Sequence, residues 1–170
     1  SGTTALGNGT HGVEIGNGAH DNVVGGTSAG QRNVLSGNKS AGIAIYGEGS
    51  SGNRMLGNLI GPDATGQAAL GNAKVGVIMA AKASENTIGG SEPGAGNVIS
   101  GNGLTGIQIS GAGTTRNRLQ GNRVGTDAPG TKVLPNGEVG IIVARGATDN
   151  VVGGLASGAG NVISGNVLEG

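Results

Sequence analysis

A 64-residue sequence repeat constrains the fold of this chain more than any other feature. The pair Gly25-Gly26, followed by the string from Asn33 to Asn38, recurs with offsets of 89 − 25 = 64 and 153 − 89 = 64 residues. No insertion or deletion interrupts the register. Repeats of fixed length are typical of solenoids, in which each unit packs its apolar side against an equivalent neighbour. The repeat therefore predicts a solenoid.

Each repeat divides into two turns of unequal length. A glycine followed by an apolar-x-apolar triplet recurs with steps of 30, 34, 30 and 34 residues, and a further step of 30 reaches Gly170. Alternation with period two is typical of a β-strand with one buried side. We call the glycines that precede these triplets the marker glycines, and we expect them to lie in one column. They are Gly12, Gly42, Gly76, Gly106 and Gly140.

The segments between the triplets predict about three short strands per turn and almost no helix. Further apolar runs such as Asn22-Val23-Val24 and Asn33-Val34-Leu35 are closed by glycine, and glycine interrupts every candidate helix. Tyr46 is the only residue among Phe, Trp and Tyr, so the interior must be narrow and aliphatic. We expect an all-β parallel β-helix solenoid with a 64-residue repeat of two turns (30 + 34), covering residues 1–170 as one segment of about five turns.

Asparagines recur in two files at fixed distances from the marker glycines. Because equivalent residues of successive turns lie over one another, their amides are expected to form hydrogen-bonded ladders along the axis. The first file contains Asn8, Asn38, Asn72, Asn102, Asn136 and Asn166, and the second contains Asn22, Asn53, Asn86, Asn117 and Asn150.

These strings resemble a known class of repeat. Asn-Val-Ile-Ser-Gly-Asn, Gly-Ile-x-Ile and Asn-Arg-x-x-Gly-Asn are similar to right-handed parallel β-helix repeats of the pectate-lyase-like superfamily, and most similar to the Gly/Asn-rich arrays of large secreted or surface-anchored bacterial and archaeal proteins. The resemblance covers essentially the whole chain. It implies a right-handed coil and an extracellular or cell-surface location. It does not imply one activity, because this architecture hosts lyases, epimerases, adhesins and stalks.

Charge and composition exclude several classes of partner. The chain has a net charge of zero and 12% charged residues, so we expect no nucleic-acid partner. No apolar stretch approaches the roughly 20 residues that span a bilayer, so we expect no membrane insertion. No cofactor motif is present, and we expect no cofactor. The expected partners are a second copy, neighbouring repeats of the same parent chain, or a polysaccharide.

The candidate chemical residues are few. Asp63 and Asp127 occupy equivalent places in the longer turn, where they are calcium ligands, catalytic carboxylates or, as we favour, Asx-type turn residues. In lyase-type members of that superfamily, carboxylates and a basic residue lie on and around an outward strand face. We call the strands that follow the marker glycines the marker strands, and Glu14 is the only residue on their outward side that could act as an acid or a base. His11 and His20 both fall in the first turn, without an evident third metal ligand.

An aliphatic stripe on the marker strands is the one feature that suggests a binding surface. The outward positions include Ala44, Ile78 and Ile142, with Ala80 and Ala144 one outward step further along. The stripe is expected to be either a docking face for another chain or a surface covered by a long loop. No polar cap is evident at either end, which favours a fragment of a longer array or a subunit that propagates head to tail.

The function expected from the sequence is structural and non-catalytic: a stalk, sheath or filament subunit that assembles through open ends or through the aliphatic stripe. The alternative is a carbohydrate-binding or polysaccharide-processing β-helix of lyase or epimerase type, with most of its active residues outside this segment. For that alternative, Glu14, Asp63 and Asp127 are the residues to test.

Overall fold

The computed structural model describes residues 2–170 and contains fifteen short strands and one 3-10 turn, Ala29–Gln31. The strands are β1 Val13–Ile15, β2 Val23–Gly25, β3 Val34–Leu35, β4 Ala41–Tyr46, β5 Arg54–Leu56, β6 Leu59–Ile60, β7 Val75–Ala80, β8 Thr87–Gly89, β9 Val98–Ile99, β10 Ile107–Ser110, β11 Arg118–Gln120, β12 Arg123–Val124, β13 Ile141–Ala144, β14 Val151–Val152 and β15 Val162–Ile163.

The strands form three parallel sheets of five strands each. Sheet A has the order β1-β4-β7-β10-β13, sheet B the order β2-β5-β8-β11-β14, and sheet C the order β3-β6-β9-β12-β15. Each pass of the chain therefore contributes one strand to every sheet, and we call each such set of three strands a layer. Five layers spaced about 4.8 Å apart make a column roughly 20 Å tall. The expected all-β parallel solenoid with three strands per turn is confirmed.

The marker glycines lie in one column at the entrance to sheet A, as predicted. Residues that follow them pair in register, with Val13 opposite Ile43, Ile43 opposite Val77 and Val77 opposite Ile107. Close approach explains why the position is glycine. A Cβ atom built on Gly76 would lie 2.5 Å from Cγ2 of Ile99 and 2.6 Å from the carbonyl oxygen of Gly106.

The core is a thin shaft of aliphatic side chains, because each layer contributes only a few inward positions. Sheet A supplies Ile43, Ile45, Val77, Met79, Ile107 and Ile109, while sheets B and C supply Met55, Ile88, Leu119, Ile60, Ile99 and Val124; all are fully buried. Tyr46 is not part of this core cluster. The narrow aliphatic interior that the sequence predicted is therefore present.

Both predicted asparagine files form continuous side-chain ladders. In the first, each amide nitrogen Nδ2 donates to the Oδ1 atom of the next asparagine over 2.7–2.9 Å. In the second, the same bond spans 2.8–3.1 Å. The backbone N–H of each donor residue also donates to that same Oδ1 atom. The ladders hold successive layers at one register.

The structure adds a third ladder that the sequence reasoning missed. It runs just before sheet C through Asn33, Asn58, Asn97, Asn122 and Asn161, with Nδ2 to Oδ1 distances of 2.9–3.0 Å. Each corner of the coil, ahead of each sheet, therefore carries one ladder.

The ladders satisfy the asparagine amides fully. In Asn86, for example, Oδ1 accepts from the backbone N–H and Nδ2 of Asn53, while Nδ2 donates both to Asn117 Oδ1 and to the Ser50 carbonyl oxygen. No buried side-chain nitrogen or oxygen in residues 2–170 lacks a hydrogen-bond partner. Since an unpaired buried polar group costs about 1–3 kcal/mol, this pairing makes a polar file compatible with a buried corner.

Replacing a central ladder residue tests this dependence. We expect Asn86→Leu to lower the free energy of unfolding by at least about 3 kcal/mol, because the Asn53 amide, the Asn117 oxygen and the Ser50 carbonyl all lose a partner. Asn22→Leu is the control, since this exposed residue begins the same ladder. Urea unfolding followed by circular dichroism provides the measurement. Equal losses in the two variants would contradict the ladder account.

The marker column makes a separate prediction about backbone packing. We expect Gly76→Ala to lower the free energy of unfolding by roughly 2 kcal/mol or more, because the new methyl group would overlap Ile99 and the Gly106 carbonyl. Gly30→Ala is the matched control, because a Cβ atom there meets nothing within 4 Å. Thermal unfolding of both variants measures the difference, and a stable Gly76→Ala protein would refute the role assigned to the column.

Candidate functional site

The predicted docking residues lie together on the outward side of sheet A. Register pairs place Glu14, Ala44, Ile78, Gln108 and Ile142 in one file. A second file beside it contains Tyr46, Ala80, Ser110 and Ala144. We call Ala44, Ile78, Ala80, Ile142 and Ala144 the apolar face. Ile142 is 37% exposed, so no loop of residues 2–170 covers the file at that layer, whereas Ala44 is fully buried and offers no accessible surface of its own.

The first-layer histidines His11 and His20 have different neighbours. The rings of His11 and Tyr46 lie 6.1 Å apart between centroids, and burial, followed by the nearby Glu14 carboxylate, raises the pKa of Tyr46. His20 instead contacts Asp21, with Nδ1 and Oδ2 2.9 Å apart, on an exposed corner. Within residues 2–170 no group of three or more His, Cys, Asp or Glu side chains is arranged to hold a metal ion.

Asp63 and Asp127 each organise a small hairpin within the longer turns. Pro62 bridges Ala69 and Thr126 bridges Val133 in antiparallel fashion, so residues 61–70 and 125–134 fold out from the corner between sheets C and A. Oδ1 of Asp63 accepts from the Thr65 hydroxyl at 2.7 Å. It also accepts from two backbone N–H groups of the same loop, at 3.1 and 3.3 Å.

These hydrogen bonds stabilise the charged form of both carboxylates. For Asp127 the main cause is the backbone N–H of Lys132, which lowers the pKa against the opposing effect of burial, and Thr131 lowers it further. For Asp63, burial alone would raise the pKa, but hydrogen bonds from Thr65, Ala68 and Gln67 lower it below its ordinary value. Both carboxylates are thus occupied as turn acceptors.

Serines at the end of sheet C anchor these hairpins, a role that the sequence reasoning did not assign. Ser100 Oγ donates to the Thr126 carbonyl oxygen at 2.8 Å and accepts from the Gly125 N–H at 3.0 Å. Ser36 makes the same pair of bonds with Pro62 and Gly61. The hairpins also stack on each other along the axis, since the Ala128 N–H donates to the Gly66 carbonyl at 2.8 Å.

A groove of about 550 Å³ lies over sheet C, and the sequence reasoning did not find it. Its walls are the loops between sheets B and C, chiefly residues 90–96 and 157–158, and the hairpin residue Ala128. Val98 lies on its floor, and Arg32, Glu92 and Arg123 line it. We call it the sheet C groove. Its volume falls in the range of small-molecule and peptide sites.

Every charged residue of the sheet C groove is a departure from the repeat. Arg32 stands where the later units have Gly96 and Gly160. Glu92 corresponds to Ser28 and Ala156, and Arg123 corresponds to Leu59. This break in an otherwise regular sequence was the available signal.

The groove charges are not neutralised within residues 2–170. The ion pairs of that range join Lys82 to Glu48, Arg116 to Glu85 and His20 to Asp21, all at another corner of the coil. Arg32 uses Nε to donate to the Gly57 carbonyl at 3.1 Å. Arg123 is half-buried and makes no ion pair or side-chain hydrogen bond with the described part of the chain.

Comparison with known proteins adds no relative. No protein-family model matches the chain, and neither a curated protein nor a solved structure matches it. In residues 2–170 the structure contains no helix long and apolar enough to cross a membrane.

The turn role of Asp127 predicts a pH-dependent effect. Because its pKa lies below the ordinary value of 3.8, the stabilisation is fully present above that pH and is lost as pH falls through the lower folded-state pKa. At neutral pH we expect Asp127→Asn to speed hydrogen exchange of residues 125–134 several-fold. The difference from the unsubstituted chain should shrink in acid below pH 3.8. A difference that is independent of pH would contradict this account.

Proposed function

We propose that this chain is a non-catalytic, load-bearing segment of a secreted or cell-surface protein, a rigid β-solenoid rod that associates sideways through its apolar face. The observation that carries the proposal is that the buried asparagine amides hydrogen-bond to one another along the axis. Three unbroken asparagine ladders join every layer to the next, which favours a continuous rod without a hinge. The right-handed, pectate-lyase-like assignment belongs to this same proposal and rests on the repeat strings.

The two carboxylates suggested for chemistry support the structural reading through their contacts. Asp63 and Asp127 each accept several hydrogen bonds from their own hairpin, so their charges already stabilise turns. Glu14 lies in a file whose next member is Ala44. Its carboxylate, after burial, helps to raise the pKa of Tyr46. These contacts favour a turn role for Asp63 and Asp127 over a role in hydrolysis by two facing carboxylates.

The apolar face is the surface we assign to a second copy. Within its two files, only Glu14 carries a charge, so two copies can meet with little desolvation cost for ions. Five strands of three to six residues, about 4.8 Å apart and roughly 10–20 Å long, give at most about 400 Å² per partner. A total of at most about 800 Å² is below the size of a standard stable interface, so one segment associates weakly. Along a longer array of repeats, such contacts add.

Copying a polar residue from the same file tests the face. We expect the double variant Ile78→Gln and Ile142→Gln, in which both positions take the residue type of Gln108, to weaken self-association at least about tenfold, because the half-buried Ile78 and the exposed Ile142 both leave the contact. Val151→Thr is the control, since Val151 is 38% exposed on sheet B, where Thr87 occupies the same file. Sedimentation equilibrium from micromolar to millimolar concentration measures the dimer. An unsubstituted chain that stays monomeric throughout would overturn the lateral route.

Electron microscopy and an activity assay separate this function from its alternative. Straight, unbent rods with lateral pairing support the structural role. Release of unsaturated oligosaccharides from acidic glycans by the purified chain would instead establish the polysaccharide-processing alternative.

A further inference from the structure

The sheet C groove combines features that the rod itself does not require. In the file that crosses its floor, the pairing order is Val34, Leu59, Val98, Arg123 and Val162. Four of the five residues are aliphatic, and Arg123 is the exception. The equivalent Leu59 is fully buried beneath its own hairpin, where a Cβ built on Gly66 would lie 3.4 Å from Leu59 Cδ2.

At Arg123 the hairpin of the next repeat closes over a guanidinium group instead. A Cβ atom built on Gly130 would lie 3.1 Å from Arg123 Nε, so the loop approaches the charged side chain as closely as it approaches Leu59. Partial burial of an unpaired guanidinium is costly, and an apolar residue is already compatible with this place in the other unit. The fold therefore does not require a charge at this position.

The two arginines lie at different heights along the groove. Arg32 reaches the second layer, where it donates to the Gly57 carbonyl, and Arg123 belongs to the fourth layer. Two layer spacings separate these levels by about 10 Å, with Val98 in the layer between them. A complementary ligand thus presents two anionic groups about 10 Å apart on either side of an apolar portion.

We propose that the sheet C groove binds an extended acidic peptide segment of a partner protein, with two carboxylates on Arg32 and Arg123 and an aliphatic side chain over Val98. A peptide in the polyproline II conformation rises about 3.1 Å per residue with three residues per turn, so acidic residues three apart lie on the same side and span about 9 Å. Arginine suits this task because its planar guanidinium recognises carboxylates through two parallel hydrogen bonds. Among residues 2–170 no aromatic ring lines the groove, which favours a peptide over a sugar that stacks on rings.

The repeat supplies variants that are already compatible with the fold. Arg123→Leu copies Leu59, and Glu92→Ala copies Ala156. Arg118→Thr removes the same charge from sheet B, outside the groove, and copies Thr87 of its own file. These three variants separate groove recognition from general attraction between opposite charges.

The probe is a fluorescein-labelled peptide containing Glu-Val-Val-Glu between glycines, measured by fluorescence anisotropy at low ionic strength with the intact chain. We expect Arg123→Leu to weaken binding about tenfold and Arg118→Thr to leave it unchanged. We expect Glu92→Ala to tighten it about threefold, because a repelling carboxylate leaves the groove. Binding should also weaken as salt is added.

Each contrary result overturns the proposal. Such results are no binding by the unsubstituted chain, equal binding of the corresponding Gln-Val-Val-Gln peptide, or equal weakening by Arg118→Thr and Arg123→Leu. Binding of a galacturonate hexamer without binding of the acidic peptide would show that the groove binds a glycan and not a peptide. Circular dichroism of every variant confirms that a loss of affinity is not a loss of fold.

Discussion

The side-chain amide of asparagine is the interaction on which the rest of the structure depends. A coil this thin has no large aromatic core, since each sheet contributes only one or two aliphatic residues per layer to the interior. Hydrophobic burial excludes a one-residue slip, which would turn the buried side chains outward, but it is non-directional and leaves smaller displacements between layers unspecified. Each asparagine needs both its donors and its oxygen satisfied, and only the observed stacking satisfies them all.

A second consequence of this constraint is the placement of glycine at the corners. The Asn102 amide lies 2.9 Å from where the Cβ of residue 76 would be, and the next carbonyl of the column lies nearer still. The ladder and the marker column therefore occupy the same narrow corner, and side chains larger than hydrogen are excluded. The turns differ in length only in the loops that project from the corners. One turn extends the corner between sheets B and C, the next extends the corner between sheets C and A, and the sheet C groove forms between these two rows of loops.

The sequence predicted those features that have constant spacing from the marker glycines. The strand positions, the parallel stacking and two ladders follow from such spacing, and the structure confirms them. The third ladder escaped because its members, Asn33, Asn58, Asn97 and Asn122, are 25, 39 and 25 residues apart. The long loops alternate on either side of it, so no single offset reveals the file. The groove escaped for a related reason, because Arg32, Glu92 and Arg123 come from three different layers. Only the folded path of the loops brings them to one cavity.

The amide ladders all run in one direction, so their bond dipoles are aligned along the coil axis. In every ladder the carbonyl oxygen points to the preceding layer and an N–H bond points to the following one. Bond dipoles that are aligned in series add, as they do along an α-helix. The ladders therefore contribute a dipole along the coil axis of a chain whose net charge is zero. For two copies placed side by side, this contribution favours the arrangement in which the coils run in opposite directions.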